Sequence, residues 1–242
     1  KDILIIVNKG QLDQYKKLLP SGKNLGLNIV FKEQDKPRGL PDAFILGENF
    51  INNSNVAMIL GDNFFYGQNL SKLLFDCAKL KIGAKIILHS VQKPELFGVA
   101  KINKKTKKIL KIIEKPKKFV SNHAITGLYF FDKKVVNIAK KLRPSKRGEL
   151  EITAINNDYL KNNKLDLELF GRGMTWLDTG TADSLMDAAE FVKVIQKRQG
   201  FVISCPEEIS WRNGWISSDK VLELAKNYGK SDYKDYLISL VS

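Results

Sequence analysis

Cysteine, histidine and long apolar runs are scarce in this sequence, and each scarcity excludes a class of protein. Only two cysteines, Cys77 and Cys205, occur in 242 residues, and their spacing matches no zinc or redox motif. So few cysteines are typical of the cytoplasm, where we expect the protein to work. No apolar run approaches the ~20 residues that a membrane-spanning helix needs, so we expect no membrane partner. The two histidines, His89 and His123, are expected to be structural.

Acidic residues are also few relative to basic ones, and the formal net charge is +14. Such a charge is typical of proteins that bind nucleic acids, membrane surfaces or anionic small molecules. Lysines are densest in residues 101–118, where isoleucines are interleaved with them. We interpret this segment as a solvated hairpin, because it lacks the aromatic residues that stack on bases. A nucleic-acid partner is therefore the disfavoured alternative.

Apolar runs and amphipathic segments alternate along the chain, which is typical of an α/β fold. With 43% hydrophobic residues, the chain can build a sizeable core. The first 90 residues predict an open, mostly parallel sheet, the middle a more antiparallel region and the tail helices. Strands are predicted at 3–7, 27–31, 56–60, 84–91, 126–132 and 165–170. Helices are predicted at 11–19, 40–51, 69–81, 133–141, 149–162, 181–199 and 217–241.

Two aspartates follow strand-like segments, where open α/β sheets bind their ligands. Asp62 follows the apolar run at 56–60, and Asp178 follows Trp176 and Leu177. Carboxylates near an anionic ligand typically share a cation with it, most often Mg²⁺. Taken alone, Asp62 is better explained by a turn. The sequence Asp-Thr-Gly at 178–180 also matches aspartic proteases, but it occurs once, and that chemistry needs two carboxylates.

Three other segments carry signals that are weak when taken alone. Lys115 is a candidate point charge for a phosphate, and Glu114 can accept hydrogen bonds from hydroxyls. Gln34 offers an amide for a base edge, and Gly39 lets a flat ring approach the backbone closely. Gly98, inside strand-like sequence, indicates a bulge or a ligand against the backbone. An exposed turn, an ordinary loop and close packing are the simpler explanations.

The order of the motifs is more informative than any single motif. In sequence they are QDKPRGL, LGDNFFYG, FGVAKI, EKP, TGLYFFD, RGELEIT, GRGMTWLDTGT, RQG and CPEEISWRNGWI. This series resembles glucose-1-phosphate thymidylyltransferase, a sugar-nucleotide pyrophosphorylase, from about Ile3 to Ile216. The resemblance implies one Rossmann-like nucleotidyltransferase domain with a mixed, mostly parallel central sheet and a basic hairpin. Its nucleotide-binding part would be 1–95, its sugar-binding part 96–200 and its helical tail 201–242.

The resemblance also implies a reaction and roles for particular residues. The family makes dTDP-glucose and pyrophosphate from dTTP and glucose 1-phosphate with Mg²⁺. By resemblance, Gln34 and Gly39 would recognise the thymine. Asp62 and Asp178 would hold Mg²⁺, and Lys115 would contact the sugar phosphate. The sugar pocket would be lined by Gly98, Glu114, Tyr129 and the backbone around Ile125, with Leu60 and Trp176 as packing.

A second nucleotide site and a homotetramer are further implications of the resemblance. Tyr66, Gly67, Gly171 and Arg172 match positions of the regulatory site in the family. Feedback inhibition by dTDP-rhamnose is the function that the resemblance attaches to that site.

The family's opening strand and its phosphate loop, of the form G-G-x-G-T-R-L, have no counterpart in these 242 residues. In this fold that strand would lie between those at 3–7 and 56–60, where its absence would leave buried backbone groups unpaired. We therefore expect coding sequence upstream of Lys1, and no turnover from these 242 residues alone.

Other functions stay open at this point. One is a pyrophosphorylase for another nucleotide or another hexose 1-phosphate. Another is a non-catalytic nucleotide-sugar-binding module, which the missing loop suggests and which the presence of both Asp62 and Asp178 opposes. A basic nucleic-acid binder comes last, since no motif of that class occurs.

Overall fold

The computed structural model describes residues 1–19 and 21–242. The strands are β1 (Asp2–Asn8), β2 (Asn28–Gln34), β3 (Val56–Ile59), β4 (Asn63–Tyr66), β5 (Ala84–Ser90), β6 (Gly98–Ile102), β7 (Ile109–Glu114), β8 (His123–Phe131), β9 (Leu165–Leu169) and β10 (Thr175–Asp178). The α-helices are α1 (Leu12–Leu18), α2 (Asp42–Leu46), α3 (Glu48–Ile51), α4 (Leu70–Ala78), α5 (Val135–Ala139), α6 (Ile152–Lys161), α7 (Ala182–Gln199), α8 (Pro206–Arg212), α9 (Ser218–Ala225) and α10 (Asp232–Val241). They form two compact units, one of Lys1–Pro37 with Met186–Ser242 and one of Arg38–Leu185.

The second unit is built on a mixed sheet in the order β7-β6-β8-β5-β9, with β3 also beside β8. The long strand β8 is its centre, because β5 pairs along one whole edge of it. The opposite edge is shared: β3 pairs with Leu128–Phe131 and β6 with Ala124. The sheet therefore forks at residues 125–127, between the carboxyl end of β3 and the amino end of β6.

Strand direction explains why the sheet is mixed. β3, β5, β6 and β9 run the same way, in keeping with the prediction of a mostly parallel sheet. Their hydrogen-bonded neighbours are nevertheless mainly antiparallel, because β8 runs the other way among them. β5 and β9 form the parallel pair of this sheet. The predicted basic hairpin is present as the antiparallel pair β6–β7.

Both faces of the central strands are covered, which is why their sequences read as continuous apolar runs. Alternate residues of β5 and β8 point to opposite faces. On one face, Ile86, Tyr129 and Phe131 pack with residues of α2, α5 and α6. On the other face, Ile87 and Phe130 pack with residues of α4, β4 and β10.

The first unit contains the parallel pair β1–β2 and a helical cluster formed by α8, α9 and α10. The core of that cluster is made of Cys205, Val221, Ala225 and Leu237, all less than 3% exposed. Among the described residues, β1 pairs with no strand except β2, and β3 with none except β8. The expectation of a neighbouring strand at those edges stays a prediction, as do the predicted boundaries at residues 95 and 200. In the described ranges, no helix combines the length and hydrophobicity needed to cross a membrane.

Most predicted elements are present, with three kinds of difference. The helix predicted at 40–51 is divided into α2 and α3 at Gly47, whose backbone leaves the helical conformation (φ −85°, ψ 3°). The strands β4 and β10 and the helix α8 were not predicted. The segment 217–241 is helical but is interrupted at Gly229, where φ is +57°.

Candidate active site

The fork in the sheet is held open by Asn63. The chain turns sharply after β3: Leu60 N donates to Gly127 O at 2.9 Å, and Asn63 N donates to Leu60 O at 3.1 Å. The Asn63 Oδ1 atom then accepts from Gly127 N at 2.9 Å and from Trp176 Nε1 at 2.6 Å. A Cβ on Gly127 would lie 2.5 Å from that oxygen. A glycine is therefore required at 127 for this contact to form.

The strands β4 and β10 bring the two predicted aspartates together. They pair antiparallel, with Asp178 opposite Asn63. Asp62, the residue just before β4, therefore lies beside the carboxyl end of β10. Thr179 N and Thr179 Oγ1 each donate to Asp62 O at 2.8 Å. A Cβ built on Gly180 would lie 2.9 Å from Asp178 Oδ1 and 3.5 Å from Asp62 Oδ2. One carboxylate oxygen of each aspartate thus lies within 3.5 Å of the same position beside Gly180.

The donor set at this point suits a hard cation. Mg²⁺ in phosphate-transfer sites is typically held by one or two carboxylates, with waters and substrate phosphates completing its shell. Within residues 1–19 and 21–242, no group of three or more His, Cys, Asp or Glu side chains is placed to hold a metal.

A cavity of about 220 Å³ opens at the fork, beside Asp178. It has mixed polar and apolar walls, as ligand pockets usually do. The structure brings to it all the residues predicted for the sugar pocket, together with Lys115 and Asp178. Those sugar-pocket residues are Leu60, Gly98, Glu114, Ile125, Tyr129 and Trp176.

Glu114 is oriented by two residues that the sequence analysis did not single out. Its Oε2 accepts a hydrogen bond from Thr153 Oγ1 at the start of α6. Its Oε1 lies 3.9 Å from Arg147 Nη1, and that guanidinium is also 3.6 Å from Glu151 Oε1. Arg147 and Thr153 lie in the motif RGELEIT, whose charged and hydroxyl side chains were a usable signal. They place a cation and a fixed carboxylate at the same wall of the cavity.

Lys115 follows β7 in an unusual backbone conformation, with φ at +38°. Its N–H donates to Phe97 O at 3.0 Å, which ties this turn to the segment before β6. Its side chain is exposed and forms no ion pair with the described residues. The ammonium is consequently available to an anion at the mouth of the cavity.

The two predicted thymine contacts lie in different compact units. In the first unit, Gln34 Nε2 donates to Asn8 Oδ1 at 2.8 Å, across the β1–β2 pair. In the second unit, Gly39 has φ at +104°, and a Cβ there would lie 2.1 Å from Leu150 O. The glycine is thus explained by its local packing, and a shared nucleotide role for the two residues stays a prediction.

The four residues predicted for regulation lie around the opposite end of the β4–β10 pair. Tyr66 pairs with Thr175, and a Cβ on Gly67 would meet Met174 Sδ at 2.4 Å. Gly171 and Arg172 are exposed in the turn that leads to Met174. Since β4 spans four residues, this cluster is about 10–14 Å from Asp62.

The two cysteines and His89 do not contribute reactive groups to this site. Burial raises the pKa of both the Cys77 and the Cys205 thiol, which keeps them protonated. Burial lowers the pKa of His89, whose ring packs against Phe170 and Trp176 at 6.1 and 6.2 Å. His89 is therefore a neutral packing residue behind the cavity wall.

Comparison with known proteins identifies the family of the chain. The sequence profile of the family described as nucleotidyl transferase matches residues 1–194. A glucose-1-phosphate thymidylyltransferase of Neisseria meningitidis serogroup A is 45% identical over 241 residues, covering 100% of this chain and 83% of that protein. One from Mycobacterium tuberculosis strain H37Rv is 42% identical, with the same coverage of both chains.

Solved structures lead to the same result. A proposed glucose-1-phosphate thymidylyltransferase from Bacillus anthracis, in complex with sucrose, is 41% identical with a TM-score of 0.69, over 78% of this chain and 74% of that one. A UDP-glucose pyrophosphorylase with bound UDP-glucose shares the fold at 20% identity, with a TM-score of 0.66 over 79% of this chain and 80% of that one. The chain belongs to the nucleotidyl transferase family and is an enzyme of that class. The resemblance drawn from the ordered motifs is confirmed.

Proposed function

We propose that this enzyme transfers a thymidylyl group from dTTP to glucose 1-phosphate, giving dTDP-glucose and pyrophosphate. The observation that carries the proposal is one arrangement: a cavity with a fixed carboxylate, Glu114, in its wall lies next to Asp62 and Asp178. Relatives with the name glucose-1-phosphate thymidylyltransferase, at 42–45% identity, support the choice of substrates.

The cavity walls suit a sugar. Glu114 offers a carboxylate that Thr153 and Arg147 hold in place, so it can accept hydrogen bonds from sugar hydroxyls. Gly98 keeps the space above this carboxylate free, because a Cβ there would lie 3.1 Å from Glu114 Oε2. Trp176 and Ile125 supply apolar surface for the faces of a pyranose ring.

The reaction brings two anions together, so positioning and charge neutralisation should dominate catalysis. A phosphate oxygen of the sugar phosphate attacks the α-phosphorus of the nucleotide, and pyrophosphate leaves. That nucleophile arrives ionised, and so a general base is not needed. Lys115, at the mouth of the cavity, and Arg147, 3.9 Å from Glu114, are the cations that would hold the sugar phosphate and offset its charge.

Asp62 and Asp178 are the residues that would hold Mg²⁺. Two carboxylates with room for phosphate oxygens and water fit the coordination this ion prefers. When bound, Mg²⁺ would neutralise phosphate charge and orient the α-phosphate for in-line attack. Two hydrogen bonds from Thr179 to Asp62 O hold the backbones of the two segments together, so the two aspartates are neighbours without a ligand.

The test is pyrophosphate release by the intact protein, with nucleotide and sugar varied separately. We expect dTTP with glucose 1-phosphate to give the highest kcat/KM of all combinations. A preference for UTP or CTP, or for another hexose 1-phosphate, would change the proposed substrates but not the proposed reaction class. Binding of a nucleotide sugar without any pyrophosphate release would favour a non-catalytic module.

The cluster of Tyr66, Gly67, Gly171 and Arg172 is proposed as a separate inhibitory nucleotide site in a cytoplasmic homotetramer. Its position at the far end of the β4–β10 pair supports this, because that pair would link it to Asp178. If so, Arg172→Ala should weaken inhibition by dTDP-rhamnose at least tenfold and leave uninhibited turnover unchanged. Equal inhibition of the variant and the parent enzyme would remove the proposal.

A further inference from the structure

Asn156 has an amide that the protein itself does not use. It lies on α6, is fully buried at 0% exposure, and lines the cavity at the fork. Neither its Nδ2 nor its Oδ1 has a hydrogen-bond partner among the described residues. Leaving a buried amide without partners is destabilising, because it gives up hydrogen bonds to water and gains none. Such a group calls for a partner that arrives with a ligand.

The position of Asn156 continues a polar row on α6. Thr153, three residues earlier, is on the same face of the helix and donates to Glu114. Asn156 is therefore one turn further along the same cavity wall. Thr153 is already engaged by Glu114, whereas the Asn156 amide has no partner among the described residues.

The chemistry of an amide complements that of its neighbours. Glu114 can only accept hydrogen bonds when ionised, and Arg147 can only donate. A carboxamide both donates and accepts, as does a hydroxyl. One amide can therefore pair with two adjacent hydroxyls, accepting from one and donating to the other. The hydroxyls of a pyranose ring present such pairs.

We propose that Asn156 binds a pair of neighbouring sugar hydroxyls and thereby selects the sugar. The inference rests on the proposed function, since the hydroxyl-bearing ligand is the sugar 1-phosphate. Asn156 does not touch the reacting phosphates in this arrangement, so it should control sugar binding more than the chemical step.

The first experiment replaces the amide with an apolar side chain of similar size, in Asn156→Leu. The KM for glucose 1-phosphate should rise about 10- to 100-fold, with kcat and the KM for dTTP changed less than about threefold. The ligand-free variant should melt at a higher temperature than the parent protein, because an unsatisfied polar group has been removed. Asn157→Leu, next on the same helix and outside the cavity lining, is the matched control and should leave the KM unchanged.

The second experiment uses sugars that lack one hydroxyl. Deoxyglucose 1-phosphates missing the 2-, 3-, 4- or 6-hydroxyl are compared with the parent sugar. For at least one of them, the parent enzyme should lose tenfold or more in kcat/KM. Asn156→Ala should lose much less for that same sugar. Because this comparison uses Asn156→Ala, it still tests the proposal if Asn156→Leu does not fold.

The outcomes separate the two proposals. An active parent enzyme whose sugar KM is unchanged in Asn156→Leu, with a lower melting temperature, would make Asn156 structural and overturn this inference alone. A parent enzyme that neither binds nor turns over any hexose 1-phosphate would overturn the proposed function, and this inference with it.

Discussion

Single atoms define the site at the smallest scale. Asn63 Oδ1 accepts from a backbone N–H of β8 and from the indole of Trp176, and its Nδ2 donates to Asp62 Oδ1 at 2.8 Å. One asparagine thus joins the sugar-cavity wall to a candidate metal ligand. From sequence alone, the segment after β3 indicates a turn or a metal site, and nothing there gives Asn63 a role.

Asp178 is the residue whose replacement tests the proposed metal role most directly. Asp178→Asn keeps the shape and the contact to Gly180 N but removes the negative charge. Turnover should fall by at least a hundredfold, about 2.7 kcal/mol, and half-maximal activity should need more Mg²⁺. Steady-state rates across a magnesium titration measure both effects. The control is Asp183→Asn, which changes an exposed aspartate in the first turn of α7 and should behave like the parent. Unchanged kinetics in Asp178→Asn would count against the metal role of Asp178.

At the same scale, the backbone conformation and close packing of Gly39 lead to a prediction about the free energy of unfolding. Gly39 and Gly148 both have positive φ, at +104° and +80°. Replacing Gly148 by alanine should cost only the backbone strain, ~1–2 kcal/mol, because nothing lies within 4 Å. Gly39→Ala should cost ~2–3 kcal/mol more, because its Cβ would meet the carbonyl of Leu150. Urea unfolding of both variants provides the comparison, and equal losses would contradict it.

At the scale of elements, what could be predicted follows the range of the interactions. β1, β3, β5 and β8 are marked by their own apolar runs, and α7 by its length and periodicity. β4 and β10 have four residues each and become strands by pairing with each other across more than 100 residues of chain. Local sequence carries little information about such a pair. α8 did have a local signal: Pro206 in its first turn, followed by two glutamates.

The same limit applies to the site. Asp62, Asp178 and the cavity residues were predicted because their motifs occur in a recognisable order. Their convergence, and the part of Asn63 in it, depend on the fork in β8, which no segment encodes by itself. Asn156 was missed for a different reason: an asparagine within a helix is ordinary until its burial and lack of partners are known.

Hydrogen bonds between tyrosines and glutamates in the C-terminal helices predict that the protein loses stability at alkaline pH. Glu207 accepts from Tyr233 Oη at 2.6 Å and from Tyr228 Oη at 2.5 Å, and Glu208 accepts from Tyr236 Oη at 2.5 Å. Burial, and then these hydrogen bonds, raise the pKa of Tyr228 and of Tyr236 to about 12. The folded state therefore favours the protonated phenols. Their contribution to stability is complete below pH 10, the ordinary tyrosine pKa, and is lost as pH rises through 12.

The double variant Tyr228→Phe with Tyr236→Phe lacks both phenols and should therefore lack this part of the pH dependence of stability. It should be less stable than the parent at pH 8, by ~1–2 kcal/mol after allowance for the partial exposure of both rings. Between pH 9.5 and 12, it should lose less stability than the parent, as measured by urea unfolding at each pH. Tyr15→Phe, on α1 of the same unit, should reproduce the parent's pH dependence. Parallel curves for all three proteins would refute the prediction.

At the scale of the whole molecule, the charge of +14 raises the question of a polyanion partner. The hairpin β6–β7 exposes Lys104, Lys105, Lys107 and Lys108 on a turn capped by Asn103 Oδ1. Lysines at a sheet edge also discourage edge-to-edge association. These facts favour a solvated face over a binding platform.

Replacing the four turn lysines by glutamine distinguishes the two interpretations. If the hairpin is only a solvated face, the turnover of this variant should stay within twofold of that of the parent. Elution from a heparin column should then shift to lower salt by the same amount as in a control variant. That control carries Lys16, Lys17, Lys226 and Lys230 replaced by glutamine, which removes equal charge elsewhere. A loss of RNA binding confined to the hairpin variant, with a steep salt dependence in the parent, would instead indicate a nucleic-acid site.

The fork in β8 has a consequence for the motions of the protein. Strand β8 is bonded to β5 along one edge, but at residues 125–127 its other edge is shared with a turn and an open cavity. At this edge Gly127 N donates to the Asn63 side chain and not to a strand, so its amide proton should exchange with solvent faster than those of Leu128–Phe131, which β3 covers. A sugar seated in the cavity would take the place of the absent neighbour. Substrate should therefore slow exchange at the middle of β8, so that ligand binding completes the protection of the central strand.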